Sequence, residues 1–151
     1  MVGGGERLIG PRMFVLDASV ALACLLGQSQ AELADAVIAR IGDENAIVPA
    51  HFSLEIAGLV ARQVAAGILA ERDAIALARE AALWPVTVDG ETSVNALNRT
   101  LALALAHRLS AFDAAYLEIC LRRAAPLATF DKRLAVIARV HAIGLLIPLE
   151  G

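Results

Sequence analysis

Short apolar runs alternating with longer helical segments predict an α/β protein with a parallel sheet covered by helices on both faces. Two observations carry this expectation. Phe14-Val15-Leu16 and Ala46-Ile47-Val48-Pro49 are brief, unbroken apolar stretches, the pattern of strands buried on both sides. The hydrophobic share is 58%, with a mean hydropathy of +0.66, and the excess is largely Ala and Leu, which suits amphipathic helices packed on a buried sheet.

The elements follow in order. The strand Phe14 to Leu16 ends at Asp17, and helices are expected over Ser19–Leu26 and Gln30–Ile41. Ala46–Pro49 is the second strand, followed by helices over about His51–Ala66 and Glu71–Leu83. Pro85–Val88 is a third strand, closed by the turn signal Asp89-Gly90. Helices are expected over Glu91–Leu109 and Ala111–Arg123, a fourth strand over Pro126–Phe130, a helix from Asp131 to Val140, and a fifth strand over Ile143–Pro148. No repeat, low-complexity tract or linker divides the chain. The expectation is one domain over residues 13–151, behind a flexible extension, residues 1–12, that contains a run of three glycines and lacks the apolar core of a secretion signal.

Composition narrows the function classes. No apolar run reaches the 18 or so residues of a membrane span, so exposed apolar surface is expected to serve oligomerisation or a partner. Cys24 and Cys120 lie far apart in helix-like runs and read as free thiols of a reducing, cytoplasmic setting. The net charge of −3 gives no overall basic character, but its distribution is uneven. From Ile119 onward Arg122, Arg123, Lys132, Arg133 and Arg139 face only Asp131 and Glu150. Solvated helix faces account for that run as readily as nucleic acid does.

Acids carry the chemistry. In an open parallel sheet ligands bind beyond the carboxyl ends of the strands. Asp17 and Asp131 fall there, although an Asp between strand and helix is also a preferred N-cap. Glu55 lies on an apolar helix face between Phe52 and Leu59, where a carboxylate needs a compensating charge, an arginine or a metal. Asp113 belongs to a Ser110-x-x-Asp113 capping pattern yet shares its face with Tyr116, Leu117 and Cys120. Four carboxylates in apolar surroundings are economically compensated by a hard divalent cation such as Mg²⁺ or Mn²⁺. His51 and His107 are lone helix histidines and read as structural, and Trp84 and Tyr116 as core.

These residues also resemble a known family. Val15-Leu16-Asp17-Ala18-Ser19, Pro49 to Leu59 around Glu55, Ser110 to Leu117 around Asp113, and Ala128-Thr129-Phe130-Asp131 resemble, in order and spacing, the four acidic motifs of PIN-domain nucleases. In size and motifs the chain is similar to the VapC toxins of bacterial toxin–antitoxin pairs. The resemblance implies a three-layer α/β/α domain with a five-stranded parallel sheet. It implies one or two Mg²⁺ or Mn²⁺ ions held by Asp17, Glu55, Asp113 and Asp131, with the Ser19 and Thr129 hydroxyls in support. It further implies RNA hydrolysis leaving a 5′-phosphate, a homodimer, and a cognate VapB-like antitoxin in an apolar groove walled by the helices from Ala18 to Ile41 and from Glu71 to Leu83. One departure is Gly58, where family members often carry an Asn, so the orientation of Glu55 falls to other groups. Arg108, Arg122, Arg123, Lys132 and Arg133 are candidates for RNA backbone contact.

Two rival classes remain in view. Phosphatases with a D-x-D motif would need an acid where Ser19 stands, and a receiver domain would need a lysine ending its own strand, whereas Lys132 directly follows Asp131. The alternative within the same fold is a catalytically inactive PIN-like module that binds RNA or a partner.

Overall fold

The computed structural model describes residues 12–150. All but Arg12 of the expected extension lies outside them. Arg12 itself is already tied to the sheet, its carbonyl accepting the Asn45 N–H at 2.9 Å.

Four parallel strands form the sheet in the order β3-β2-β1-β4: β1 (Met13–Leu16), β2 (Asn45–Val48), β3 (Thr87–Val88) and β4 (Leu127–Ala128). Phe14, Val15, Leu16, Ala46, Ile47 and Val48 are fully buried, as unbroken apolar strands demand when both faces are covered. Each such Val, Leu, Ile or Phe contributes about 1.5–3 kcal/mol of burial. Val15 pairs with Ile47 and Leu127, and Ile47 with Thr87. This register sets the residues just after β1 and β4 side by side.

The helices are α1 (Ala18–Leu26), α2 (Ala31–Ala39), α3 (Phe52–Ala65), α4 (Glu71–Ala82), α5 (Thr92–Asn95), α6 (Leu101–His107), α7 (Ala111–Arg123) and α8 (Lys132–Val140). Gly27, at φ +60° beyond α1, supplies the left-handed residue that ends the helix and returns its N–H to the Ala23 carbonyl.

Two expectations need correction. The fifth strand is reduced to a single bridge, Leu145 beside Leu127, made by Leu127 N–H to Gly144 O and Leu146 N–H to Leu127 O. β4 offers only two residues for pairing, and Pro148 has no N–H to extend the ladder. The helix expected over Glu91–Leu109 is broken into α5, a wide π turn over Ala96–Thr100, and α6. At its start the Asn95 side chain donates to the Glu91 carbonyl at 2.9 Å, an acceptor that the Asn95 backbone N–H also uses.

A buried ionic network ties α7 to the end of β3. The Asp89 carboxylate, wholly enclosed, accepts from Arg122 Nη2 at 2.7 Å and Arg123 Nη2 at 3.0 Å. Arg122 also pairs with Glu118 at 2.8 Å and with Glu91 at 3.0 Å. Burial alone would raise the Asp89 carboxyl, but the bonds from Arg122, Arg123 and Thr92 outweigh it and hold the group below the usual carboxylate range. Arg122 and Arg123, expected to contact RNA, also pair their guanidinium groups with these carboxylates, Arg122 with its side chain only 13% exposed.

Removing one partner of such a network strands the others without compensation. Arg122→Met, which leaves Asp89 and Glu118 buried, is expected to lower unfolding stability by about 3–5 kcal/mol, read from the midpoint of a urea titration. The Asp89 contribution is present above its unfolded pKa and is lost as pH falls through its depressed native value, so the gap between the two proteins should narrow in acid.

Candidate functional site

Asp17 follows β1 at the N-cap position of α1, yet its side chain makes no capping bond. Its Oδ2 accepts the Ser19 hydroxyl and, at 2.8 Å, the Thr129 hydroxyl from beyond β4. The same hydroxyls take backbone donors of the β4–α8 turn, Ser19 Oγ from Phe130 N–H and Thr129 Oγ1 from Asp131 N–H, both at 3.0 Å. Only 4% of Asp17 is exposed. Burial pushes its carboxyl up, the two hydroxyl bonds offset part of that, and Asp113 adds to it.

Asp131 does cap α8, its Oδ1 accepting Leu134 N–H at 3.0 Å, and its second oxygen remains for other work. Asp113 stands in the first turn of α7, where Ser110 Oγ accepts its N–H at 3.1 Å. Its carboxyl is raised by burial and by Asp131, against lowering by Ser110, Arg133 and His51.

Glu55 has no arginine within ion-pair reach among the described residues. Tyr116, fully buried in α7, donates its hydroxyl to Glu55 Oε1 at 3.0 Å. His51 Nε2 lies 3.9 Å from the other oxygen and has no hydrogen-bond partner among the described residues. Burial raises the Glu55 carboxyl to about 7; Asp17 and Asp113 also raise it, while Tyr116 and Arg62 lower it. Where Gly58 lacks a side chain, Tyr116 thus does the orienting.

Asp113 therefore raises Asp17, Asp17 and Asp113 raise Glu55, and Asp131 raises Asp113, near the carboxyl end of β1 and β4. Among the described residues none of Asp17, Asp113 and Asp131 is in an ion pair, and no three acid, His or Cys side chains converge into a ready-made cage. Oxygen donors, unpaired negative charge and pairwise approach fit a hard cation that keeps several waters and takes one or two carboxylates at a time.

A model of the PIN domain matches residues 14–140. The chain belongs to the PIN domain family. Among solved structures this PIN domain is similar to PAE2754 from Pyrobaculum aerophilum, at 15% identity over 94% of this chain and 99% of that one, with a TM-score of 0.61. It is similar to VapC20 of Mycobacterium tuberculosis, a sarcin-ricin-loop-cleaving toxin, at 18% identity over 82% and 94%, TM-score 0.60. It is also similar to VapBC2 from Rickettsia felis, solved with a promoter DNA fragment, at 8% identity over 88% and 96%, TM-score 0.59. A search of curated proteins found no match.

Of the basic residues, Arg108, Lys132 and Arg133 line one shallow depression of about 640 Å³ between the end of α6 and the start of α8. There Arg133 Nη2 donates to the His107 and Arg108 carbonyls at 2.9 and 2.8 Å. A cleft of about 630 Å³ between α3 and α4 is lined by Phe52, Ile56, Val60, Val64, Ile75 and Trp84 among others. α1, expected with α2 and α4 to wall a groove, packs against α2, α3 and α4. His51 was read from sequence as structural, and Phe112 and Arg62 were given no role; only the helical spacing of His51 and Arg62 from Glu55 could have signalled their shared face.

A raised carboxyl binds its proton more tightly in the native state, so metal-free protein should lose stability as pH rises from about 4.5 through about 7. Glu55→Gln should remove that part of the loss, leaving the metal-free variant more stable than wild type at pH 8 and not at pH 4 by thermal melts.

Proposed function

We propose that this PIN domain is a metal-dependent endoribonuclease of the VapC toxin kind. The observation that carries the reading is Asp17: a buried carboxylate in no ion pair among the described residues, held by two hydroxyls near Asp113 and Glu55. A protein with only its fold to maintain gains nothing from that arrangement. The toxin assignment draws support from the likeness to VapC20 and VapBC2.

Asp17, Asp113 and Asp131 would hold Mg²⁺ or Mn²⁺, with Glu55 contributing directly or through water. When bound, the ion supplies Lewis-acid polarisation of the phosphodiester and a water more easily deprotonated at neutral pH. The chain's own residues do the rest. Ser19 and Thr129 fix Asp17 and the turn carrying Asp131 as one unit, so two ligand groups keep their spacing. Tyr116 holds Glu55 in one orientation, and with its carboxyl near 7 that group can take a proton from an attacking water or return it. Arg108, Lys132 and Arg133 line the approach beside Asp131 and would contact the RNA backbone without regard to sequence. The apolar cleft between α3 and α4, with Ile75 and Val88 exposed in its lining, is the surface offered to a VapB-like antitoxin or to a second copy in a homodimer.

Purified protein should cleave a mixed RNA pool with Mg²⁺ or Mn²⁺ and not with EDTA. Asp17→Asn and Asp113→Asn should each lose about 100-fold or more, at or beyond the top of the range for residues that merely support a metal site. Folded wild type that cuts nothing but binds RNA would replace this reading with the inactive binding module. Equal cutting by both variants would place the activity elsewhere. For the backbone contacts, Lys132→Ala should weaken RNA binding across all sequences and reduce the salt slope by about 1, whereas Arg123→Ala should leave the slope unchanged.

A further inference from the structure

Beside the four acids, a cleft of about 470 Å³ opens between α3 and the start of α7, lined by His51, Leu54, Glu55, Gly58, Arg62 and Phe112. Its size lies within the range of small-ligand sites. Four of these residues stand at helical spacing along α3, so His51, Glu55, Gly58 and Arg62 share one face. We propose that this cleft is a nucleobase subsite, receiving the base of a nucleotide next to the scissile phosphate. The proposal rests on the ribonuclease reading and extends it to substrate selection.

Four features argue for a base. Phe112 is 57% exposed although it is a large aromatic directly adjacent to a candidate ligand residue. Behind it the His51 ring packs at 4.8 Å and 54°, and His51 in turn meets the Tyr116 ring edge-on at 5.6 Å. The ring is thus braced from the core and bare on its outer side, which is what a stacking platform requires. The floor of the cleft is open because position 58 is glycine: a Cβ there would meet nothing within 4 Å. This glycine has helical backbone geometry and no conformational need to be one, so what it supplies is room. Arg62, exposed on the same face, offers a guanidinium for a base edge or a phosphate oxygen. Finally His51 Nε2, buried and without a partner among the described residues, is a polar group in the lining with a hydrogen bond still to make. Leu54, 77% exposed, supplies the apolar side wall. Glu55, common to the cleft and the acid cluster, fixes the subsite's place directly beside the bond to be cut.

The test is single-turnover cleavage, with Mn²⁺, of a pool of short single-stranded RNAs and of matched RNAs carrying one abasic position. Wild type is compared with Phe112→Ala, Phe112→Trp and Gly58→Leu. Phe112→Ala should lose about tenfold in kcat/KM, in line with one lost stack, and should flatten the base preference beside the cut. Phe112→Trp should retain both. Gly58→Leu should match the alanine variant in rate while melting no lower than wild type, because leucine favours the helix where glycine does not. An abasic position flanking the cut should cost wild type as much as Phe112→Ala does and cost that variant nothing more. If wild type cuts RNA but Phe112→Ala and Gly58→Leu cut equally fast with the same base preference, the subsite is wrong and the ribonuclease stands. If wild type cuts no RNA with either ion, the ribonuclease reading fails and the subsite falls with it.

Discussion

Asp17 stands directly after the central strand β1, sealed from solvent among apolar neighbours, and a charge in that position has to be met by whatever the adjoining loops present. They present hydroxyls. Ser19 reaches back from the first turn of α1 and Thr129 reaches across from the end of β4. Each hydroxyl has one proton to give, and both give it to the same oxygen. Having donated, each is obliged to accept, and the acceptors' needs are met by Phe130 and Asp131 N–H. One carboxylate therefore dictates the path of the β4–α8 turn. That turn in turn places Asp131 at the head of α8, where it caps Leu134 N–H. Parallel pairing of β1 with β4 is what brings the two loops within reach.

The molecule contains a second buried aspartate, and the contrast between the two is informative. Asp89 is met by two guanidinium groups in fork geometry, so its charge is balanced inside the protein. Asp17 is met by neutral donors, and burial and another acid, Asp113, push its carboxyl up. The first arrangement holds α7 against the end of β3. The second leaves a carboxyl that no countercharge among the described residues balances. Both are carboxylates following a strand, and their partners distinguish them, two arginines for one and two hydroxyls for the other.

That contrast also marks what the sequence made legible. β1, β2 and α7 were readable because each signal is local: an unbroken apolar run, or a serine cap followed by helical periodicity, with α7 spanning Ala111–Arg123 as expected. The four acids stood out in the sequence because carboxylates expected on apolar faces ask for a reason; of them Asp17 is buried, and Glu55, Asp113 and Asp131 are partly exposed. Partners were not readable. Arg122 and Arg123 looked like members of a basic run because Asp89 lies more than thirty residues away in sequence. Tyr116 looked like simple core, and burial does claim its ring, but its hydroxyl serves Glu55 across sixty-one residues. The reduced fifth strand and the π turn before α6 are failures of a different kind. Ile143–Pro148 has the composition of a strand, but a strand needs a partner of matching length, and β4 is too short to provide one.

Helix α3 faces two ways. One side, through Phe52, Ile56, Val60 and Val64, forms a wall of the apolar cleft against α4, and the adjacent side carries Glu55 toward the acids. Neighbouring residues on a helix are separated by about 100°, so Ile56 and Glu55 are spokes of one wheel. At a side-chain radius of about 6 Å, a 10° roll of that wheel swings the Glu55 carboxylate by about 1 Å. A displacement of that size is worth about 100-fold in rate where reacting groups must be aligned. An occupant of the cleft that rolled α3 would therefore move Glu55 without touching it.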